Sequence, residues 1–358
     1  MPHPFGDAPK GGCPNAGQPL FCSIPLAGQP WPLCLVHLLG HYDAVRRDIT
    51  VRKTTRSLRM QLGSTKIIDT FAEAFGMRYV RLLVTAFDAY WLDAALREFT
   101  GYSSSVIACD AEAGIESYVD AENTPDGRCG ATILVFGFST EALAKAVPNR
   151  TGQCLMTCPT TAVYNGMPDA EETIPLGKHI RYFGDGFQKS KKLFGHRYWR
   201  IPVMDGEFLV EDRLGIAKGV AGGNIILQAE SLQAALAAVR RGSEALQAMA
   251  GVIAPFPGGV VRSGSKVGSV YKQLPASTAD AYCPTLRGRT QTALMEDALC
   301  ALEIVIDGVS EEVVGQAMAA TVRATAGEGV VAIGAGNYGG KLVKHHYHLH
   351  QLLTDESE

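Results

Sequence analysis

The 358-residue chain has no stretch approaching the roughly 18–20 consecutive apolar residues of a membrane-crossing helix. The nearest candidate, residues 19–40, is interrupted by Pro25, Pro30 and Pro32, and proline breaks the backbone ladder that a spanning helix needs. The same stretch makes a poor secretion signal, because its apolar part is broken and Asp7 precedes it along with Lys10. Positive charge is not in excess either. The net charge is −3, so the basic footprint of a nucleic-acid binder is missing. Nine cysteines are an odd number, and only Cys154 and Cys158 lie close together, so neither a disulfide framework nor a zinc site is expected. Reduced, mostly buried thiols in a cytoplasmic protein fit this usage. No nucleophile elbow, no H-E-x-x-H and no spaced Ser/His/Asp set is present.

What remains is the composition of a soluble globular protein, 46% apolar and 19% charged, long enough for two domains. Residues 1–34 are rich in Pro, Gly and Cys, and residues 45–59 are basic with little apolar periodicity. Neither stretch can bury much core, so residues 1–59 read as a disordered extension or as sequence upstream of a start at Met60.

Beyond that point strands and helices alternate. Residues 79–86 read as a strand and 88–101 as a helix, with Asp88 as its N-cap. Residues 103–109 and 131–138 read as strands. Residues 139–152 form a helix capped by Ser139 and stopped before Pro148, and 153–158 a closing strand. The order is β-α-β-β-α-β. It recurs with strand 224–230, helix 231–251, strand and loop 256–268, strand 300–307, helix 310–327 and strand 330–336. The expected fold is therefore α+β, two ferredoxin-like lobes at 60–212 and 213–358.

One residue stands out. In "LCALEIVIDGV" (299–309), Glu303 sits among Leu302, Ile304, Val305 and Ile306. A carboxylate there loses hydration worth several kcal/mol unless it is paired, protonated or facing a cleft. Three readings stand: a side chain pointing to water, a structural ion pair, or a cleft acid whose raised pKa lets it donate a proton. Other features are less specific. "GGVVRSGSKVGSVYK" (258–272) could hold an anionic group through backbone N–H groups and lysines, and a structural turn explains it as well. "GAGNYG" (334–339) spells G-x-G-x-x-G but no helix follows. His346, His348 and His350 alternate along a terminal strand, where a solvated face is the better reading than a metal site.

Longer strings carry more. "DTFAEAFGMR" (69–78), "AEAGIE" (111–116), "TPDGR" (124–128), "GQCLMTCPTTAVYNGMP" (152–168), "GVAGGNIIL" (219–227), "PFPGGVVRSGSKVG" (255–268) and "GAGNYGGKL" (334–342) resemble, in order, blocks of the formylmethanofuran:tetrahydromethanopterin formyltransferases. The resemblance runs from about Ile67 to Leu353. It implies reversible formyl transfer between N5 of tetrahydromethanopterin and the amine of methanofuran, both as substrates, with no prosthetic group and no metal. It implies that Glu303, in the matching "ALEIVIDG", is the catalytic acid. Asn165, Ser263, Ser265, Lys266 and Asn337 become candidate substrate-binding residues, since both carriers have anionic tails. A homo-oligomer, dimer or tetramer, is implied. So is membership of a bacterial formyltransferase/hydrolase complex, as the formyltransferase component, in the oxidation of formaldehyde to formate. A catalytically inactive scaffold subunit is the rival reading. Residues 1–59 have no counterpart in these blocks. A chain starting at Met60 should therefore keep its melting temperature and its transfer rate, and loss of folding on that truncation would place the segment against the lobes.

Overall fold

The computed structural model describes residues 60–354 except 194 and 341–342, so the expectation for residues 1–59 lies outside the described residues. Nine strands carry the argument: β1 (Phe71–Thr85), β2 (Glu112–Val119), β3 (Gly130–Gly137), β4 (Ala162–Asn165), β5 (Arg213–Ala229), β6 (Val252–Ile253), β7 (Cys300–Gly308), β8 (Val330–Gly334) and β9 (His345–His348). Four helices pack on them: α1 (Ala89–Thr100), α2 (Thr140–Arg150), α3 (Leu232–Gln247) and α4 (Glu311–Thr325). The element order β-α-β-β-α-β runs twice. In the first half the sheet order is β2-β3-β1-β4, in the second β6-β7-β5-β8, and every one of these neighbours is antiparallel.

The two long strands β1 and β5 pair with each other, Phe75–Val80 against Ile216–Ala221, so both halves share one 15-stranded sheet. At Gly222 the register of β5 shifts, and its φ of +93° is a conformation that a side chain would strain.

Each helix starts on a side-chain cap. Asp88, Ser139, Ser231 and Ser310 each accept a hydrogen bond from the backbone N–H three residues on. The helices bury apolar stripes on one face of the sheet. Leu92, Leu96, Phe99, Leu143 and Val147 pack on Val80, Leu82 and Val135 in the first half. In the second half Val239, Leu246, Val314, Met318 and Val322 pack on Ile225, Leu227, Leu302, Ile304 and Ile306. A third cluster, Met77, Tyr79, Leu134, Phe136, Ala221 and Ile253, fills the seam between the halves.

Several readings of the sequence differ from this fold. The strand placed in 256–268 lies at Val252–Ile253, because helix α3 ends at Gln247 and Pro257–Gly259 is a single turn, and β5 begins at Arg213, well before residue 224, because its first part pairs with β1. Residues 103–109 form turns, because Ser105 draws the N–H groups of Ile107, Ala108 and Cys109 back onto itself; the strand starts at Glu112. Helix α2 does not stop before Pro148. It absorbs that proline and opens into a π turn at Thr151–Leu155, so residues 153–158 are not a strand; Ala162–Asn165 is. Strand β1 begins at Phe71, well before residue 79, because its N-terminal part pairs with the distant β9.

Two buried carboxyls tie the seam. Glu112, on β2, accepts from Val106 N–H at 3.0 Å, and Asp307, on β7, accepts from Gly222 N–H at 3.0 Å. The two side chains hydrogen-bond each other, and Asp307 Oδ2 meets no donor among the described residues. A proton held between the two carboxyls would satisfy that oxygen. Burial raises the pKa of both, Asp307 well above the usual carboxylate range, with the Glu112 charge adding to it. The folded state thus binds a proton that the unfolded state has lost. Its contribution is complete below the ordinary carboxylate pKa and declines, by about 1.4 kcal/mol per pH unit for one excess proton, until pH passes the raised value. Thermal melts across pH 6–10 should show Asp307→Asn, whose amide donates in place of the proton, losing less stability toward alkaline pH than the parent. An unchanged alkaline slope would mean that the pair shares no proton.

Candidate functional site

Strand alternation puts Leu302, Ile304 and Ile306 toward α3 and α4, and Glu303 on the opposite face of the sheet. The cross-strand partners of Ala301, Glu303 and Val305 are Gln228, Ile226 and Asn224, so these six share that face. On its other side Glu303 bridges Val261, exchanging backbone hydrogen bonds of 2.7 and 3.2 Å. Two segments cover this face. One is the insertion 254–299. The other is the loop 335–340, whose Gly336 N–H donates to Asn224 Oδ1 at 2.8 Å.

Glu303 is partly accessible, and among the described residues its carboxylate takes part in no hydrogen bond or ion pair. Burial alone pushes its pKa up to about 7. No ion pair forms at Glu303 among the described residues, and its partly covered carboxyl carries a pKa raised by burial. Two tyrosines stand beside it. Tyr282 in the insertion and Tyr338 in the loop both have raised pKa values, from burial first and then from the charge of Glu303. Ser265 hydrogen-bonds Tyr338, and Glu73 accepts the backbone N–H of Tyr338. The arrangement is an acid able to hold or release a proton near neutrality, flanked by two neutral phenols.

A family model described as formylmethanofuran-tetrahydromethanopterin formyltransferase matches residues 60–203, and one described as the proximal lobe of that enzyme matches residues 206–352. The chain belongs to this formyltransferase family. The formylmethanofuran–tetrahydromethanopterin formyltransferase of Methylococcus capsulatus is 51% identical over 299 residues, 82% of this chain and all of the relative. One subunit of the formyltransferase/hydrolase complex of Methylorubrum extorquens is 47% identical, over 82% of this chain and 97% of its own length. Among solved structures, the formyltransferase/hydrolase complex of that bacterium with methylofuran gives a TM-score of 0.80 at 46% identity, covering 82% of this chain and 99% of the other. The formyltransferase of Methanosarcina barkeri gives 0.78 at 40% identity, covering 82% and 100%.

Within this formyltransferase, the structure brings some of the expected site residues together and leaves one elsewhere. Ser265 reaches the recess through Tyr338. Lys266 lies next in the chain, but its ammonium is engaged by Asp280 at 2.8 Å. The Ser263 carbonyl accepts from Thr278 Oγ1 at 3.4 Å, which fastens this loop to the segment ahead of Asp280 within the same insertion. Asn337 spends its amide on Thr70 Oγ1, the Phe71 carbonyl and Gly339 N–H, shaping the loop that presents Tyr338. Asn165 is not part of this group. Its Oδ1 accepts from Met167 N–H and, at 2.9 Å, from Gly215 N–H. Glu303 pairs with Ile226, on the order of 30 Å further along the same strand.

Sequence reasoning missed both tyrosines and Gln228. Tyr338 had a signal, an aromatic inside a glycine loop; Tyr282 had none. A cavity of about 490 Å³ opens at the seam, lined by Arg97, Tyr102, Gly114, Ser243 and Phe256 among others. It includes neither Glu303 nor its tyrosines and offers no acid, so it does not displace the recess as the candidate site.

The histidines do not converge. His346 and His348 lie against the Phe71 ring at 5.4 and 5.0 Å, while His350 falls in the helix Leu349–Thr354 and contacts the Ile67 carbonyl at 3.0 Å. No group of three or more potential metal ligands occurs among the described residues. Formyl transfer should survive prolonged dialysis against a chelator, and metal analysis should find well below one equivalent of zinc. Stoichiometric zinc lost together with activity would mean that the histidines do bind metal.

Proposed function

We propose that this chain moves a formyl group reversibly between N5 of 5-formyl-tetrahydromethanopterin and the amine of methanofuran, directly, with Glu303 as the acid–base group. The observation that carries the reading is an unpaired acid at a pKa of about 7 on the strand that matches the family's "ALEIVIDG" segment. Both carriers are substrates and no prosthetic group takes part. The attacking amine forms a new C–N bond at the formyl carbon and charge develops on the formyl oxygen. Protonated Glu303 donates to that oxygen, takes up the proton that the amine must lose and passes it to the departing nitrogen as the old C–N bond breaks, and regains the oxygen's proton as the C=O bond re-forms. A pKa near 7 makes both protonation states available at neutral pH, which suits a group that gives and takes. Holding two large carriers in register supplies much of the remaining rate, so no covalent intermediate on the protein is called for.

We further read residues 60–212 and 213–358 as two ferredoxin-like lobes. The support is the repeated element order and the repeated antiparallel sheet order described above. Ser263, Ser265 and Lys266, with the backbone N–H groups of their loop, are assigned to anionic parts of the carriers; Asn337 acts by shaping the Tyr338 loop, and Asn165 is left as a structural pin. The relative in Methylorubrum extorquens is one component of a larger complex, and we assign this chain the same kind of role, as a cytoplasmic homo-oligomer with other subunits, in oxidation of one-carbon compounds. The exposed side chains of Tyr182, Phe183 and Phe187 offer apolar surface for such contacts. No helix among the described residues is long and apolar enough to cross a membrane.

Glu303→Gln keeps the volume and a hydrogen-bond donor but cannot transfer a proton. It should fold, bind both carriers and turn over ~10²-fold or more slowly. The parent rate should fall as pH rises through about 7, because the protonated form is the one required. Turnover by Glu303→Gln within about threefold of the parent would assign the proton to another group. A parent protein that binds both carriers and transfers nothing would favour the scaffold reading.

A further inference from the structure

Gln228 is fully buried on the face that carries Glu303, as the cross-strand partner of Ala301. Burying an amide is costly unless both of its ends are satisfied. Here they are satisfied by the insertion and not by the sheet. The carboxamide oxygen accepts from Met295 N–H at 2.7 Å, and Nε2 donates to the Ala293 carbonyl at 3.2 Å.

The connection continues from there. Ala293 N–H donates to the Ala281 carbonyl at 2.8 Å, and Thr292 Oγ1 donates to the same oxygen at 3.2 Å. Ala281 is the middle of the turn Asp280–Tyr282, whose last residue stands beside Glu303. Asp280 in that turn holds Lys266. On the outer side, Arg287 donates to the carbonyls of Met295 and Ala298 at 2.8 and 2.5 Å. The insertion also meets the sheet through the Val261–Glu303 bridge and through Leu299 N–H to the Ala229 carbonyl at 2.8 Å, but between these two ends the side-chain link of the 280–295 segment to the sheet is Gln228.

We propose that Gln228 is a positioning residue, which through these hydrogen bonds fixes the segment 280–295 as the roof that keeps water from Glu303. The proposal rests on the reading of Glu303 as the reacting acid, and deepens it. Tyr282 on the roof and Tyr338 on the loop 335–340 are both near enough to Glu303 for its charge to raise their pKa values. Besides the two phenols, the ionisable groups of the roof are Asp280, Cys283, Arg287 and Arg289 together with Glu296 and Asp297 at its far end; Arg262 lies beside the Val261 bridge, and Lys266 is held in its ion pair. None of these charges contributes to the shift at Glu303, which comes from burial alone, so displacement of the roof acts through water.

Gln228→Met keeps most of the volume and removes both hydrogen bonds. With ¹³C-labelled glutamate carboxyls, and the Glu303 signal assigned by its loss in Glu303→Gln, the titration midpoint of Glu303 can be read without substrate. In Gln228→Met it should fall from about 7 toward the ordinary carboxylate value, by about one unit or more, and the alkaline limb of the pH–rate profile should move with it. If Gln228→Met fails to fold, Ala293→Pro deletes the N–H that reaches Ala281, leaves the sheet untouched and carries the same expectation. A midpoint unmoved within about 0.3 unit in a folded variant, while the Met295 amide exchanges freely with solvent, overturns the proposal. A midpoint that moves in a protein whose parent transfers no formyl group upholds the roof and refutes the proposed function.

Discussion

Everything in the second half hangs on the pairing of two long strands. Phe71–Thr85 and Arg213–Ala229 are each longer than one lobe requires, and their overlap at Phe75–Val80 and Ile216–Ala221 fuses two sheets into one. Beyond the overlap each strand continues as the central strand of its own half. The register shift at Gly222 lets β5 pass from one role to the other without losing its ladder. Where β5 leaves the first half, its alternation decides that Asn224, Ile226 and Gln228 face away from α3 and α4. That choice, passed across to β7, aims Glu303 into the recess.

The protein buries several acids, and it treats them in three ways. Glu116 is ion-paired to Arg81 by two hydrogen bonds of 2.7 and 2.6 Å and also accepts from Gly251 N–H, which ties the halves together. Glu112 and Asp307 have no cation among the described residues, and burial together with their mutual interaction raises the pKa of Asp307 well above the ordinary range and that of Glu112 as well. Glu303 has neither remedy among those residues, and so carries the desolvation cost as a raised pKa. The first two arrangements are structural, because every charge or proton in them is already spent. The third leaves the acid unpaired among the described residues, beneath the insertion 254–299.

That cover also explains why the glycine- and serine-rich loops matter. They do not form a phosphate cradle at a helix N-terminus; no helix follows either of them closely. Ser265 and the loop around Asn337 meet at Tyr338, and Lys266 is committed to Asp280. Their polar groups mostly hold one loop against another.

The local rules were legible in the sequence. The caps at Asp88, Ser139 and Ser231, the alternation that sets Leu302 and Ile304 opposite Glu303, and the twofold element order all follow from residues near in the chain. The collinear blocks identified the family for the same reason, since they are strings and need no fold to be read. The failures came where distant segments decided the outcome. Strand β1 extends back to Phe71 only because β9 pairs with it, and residues 103–109 curl because Ser105 outcompetes a ladder that has no partner there. The anomaly at Glu303 was visible from its neighbours, but its three readings were not separable, because periodicity says which face a side chain takes and not what lies over that face. The insertion that covers it, the phenols beside it and the buried Gln228 that anchors the cover are contacts across 65 residues or more of chain in the longest links. Desolvation is a property of the assembled surroundings, so only the tertiary structure decided that the acid in this strand has its pKa raised by burial.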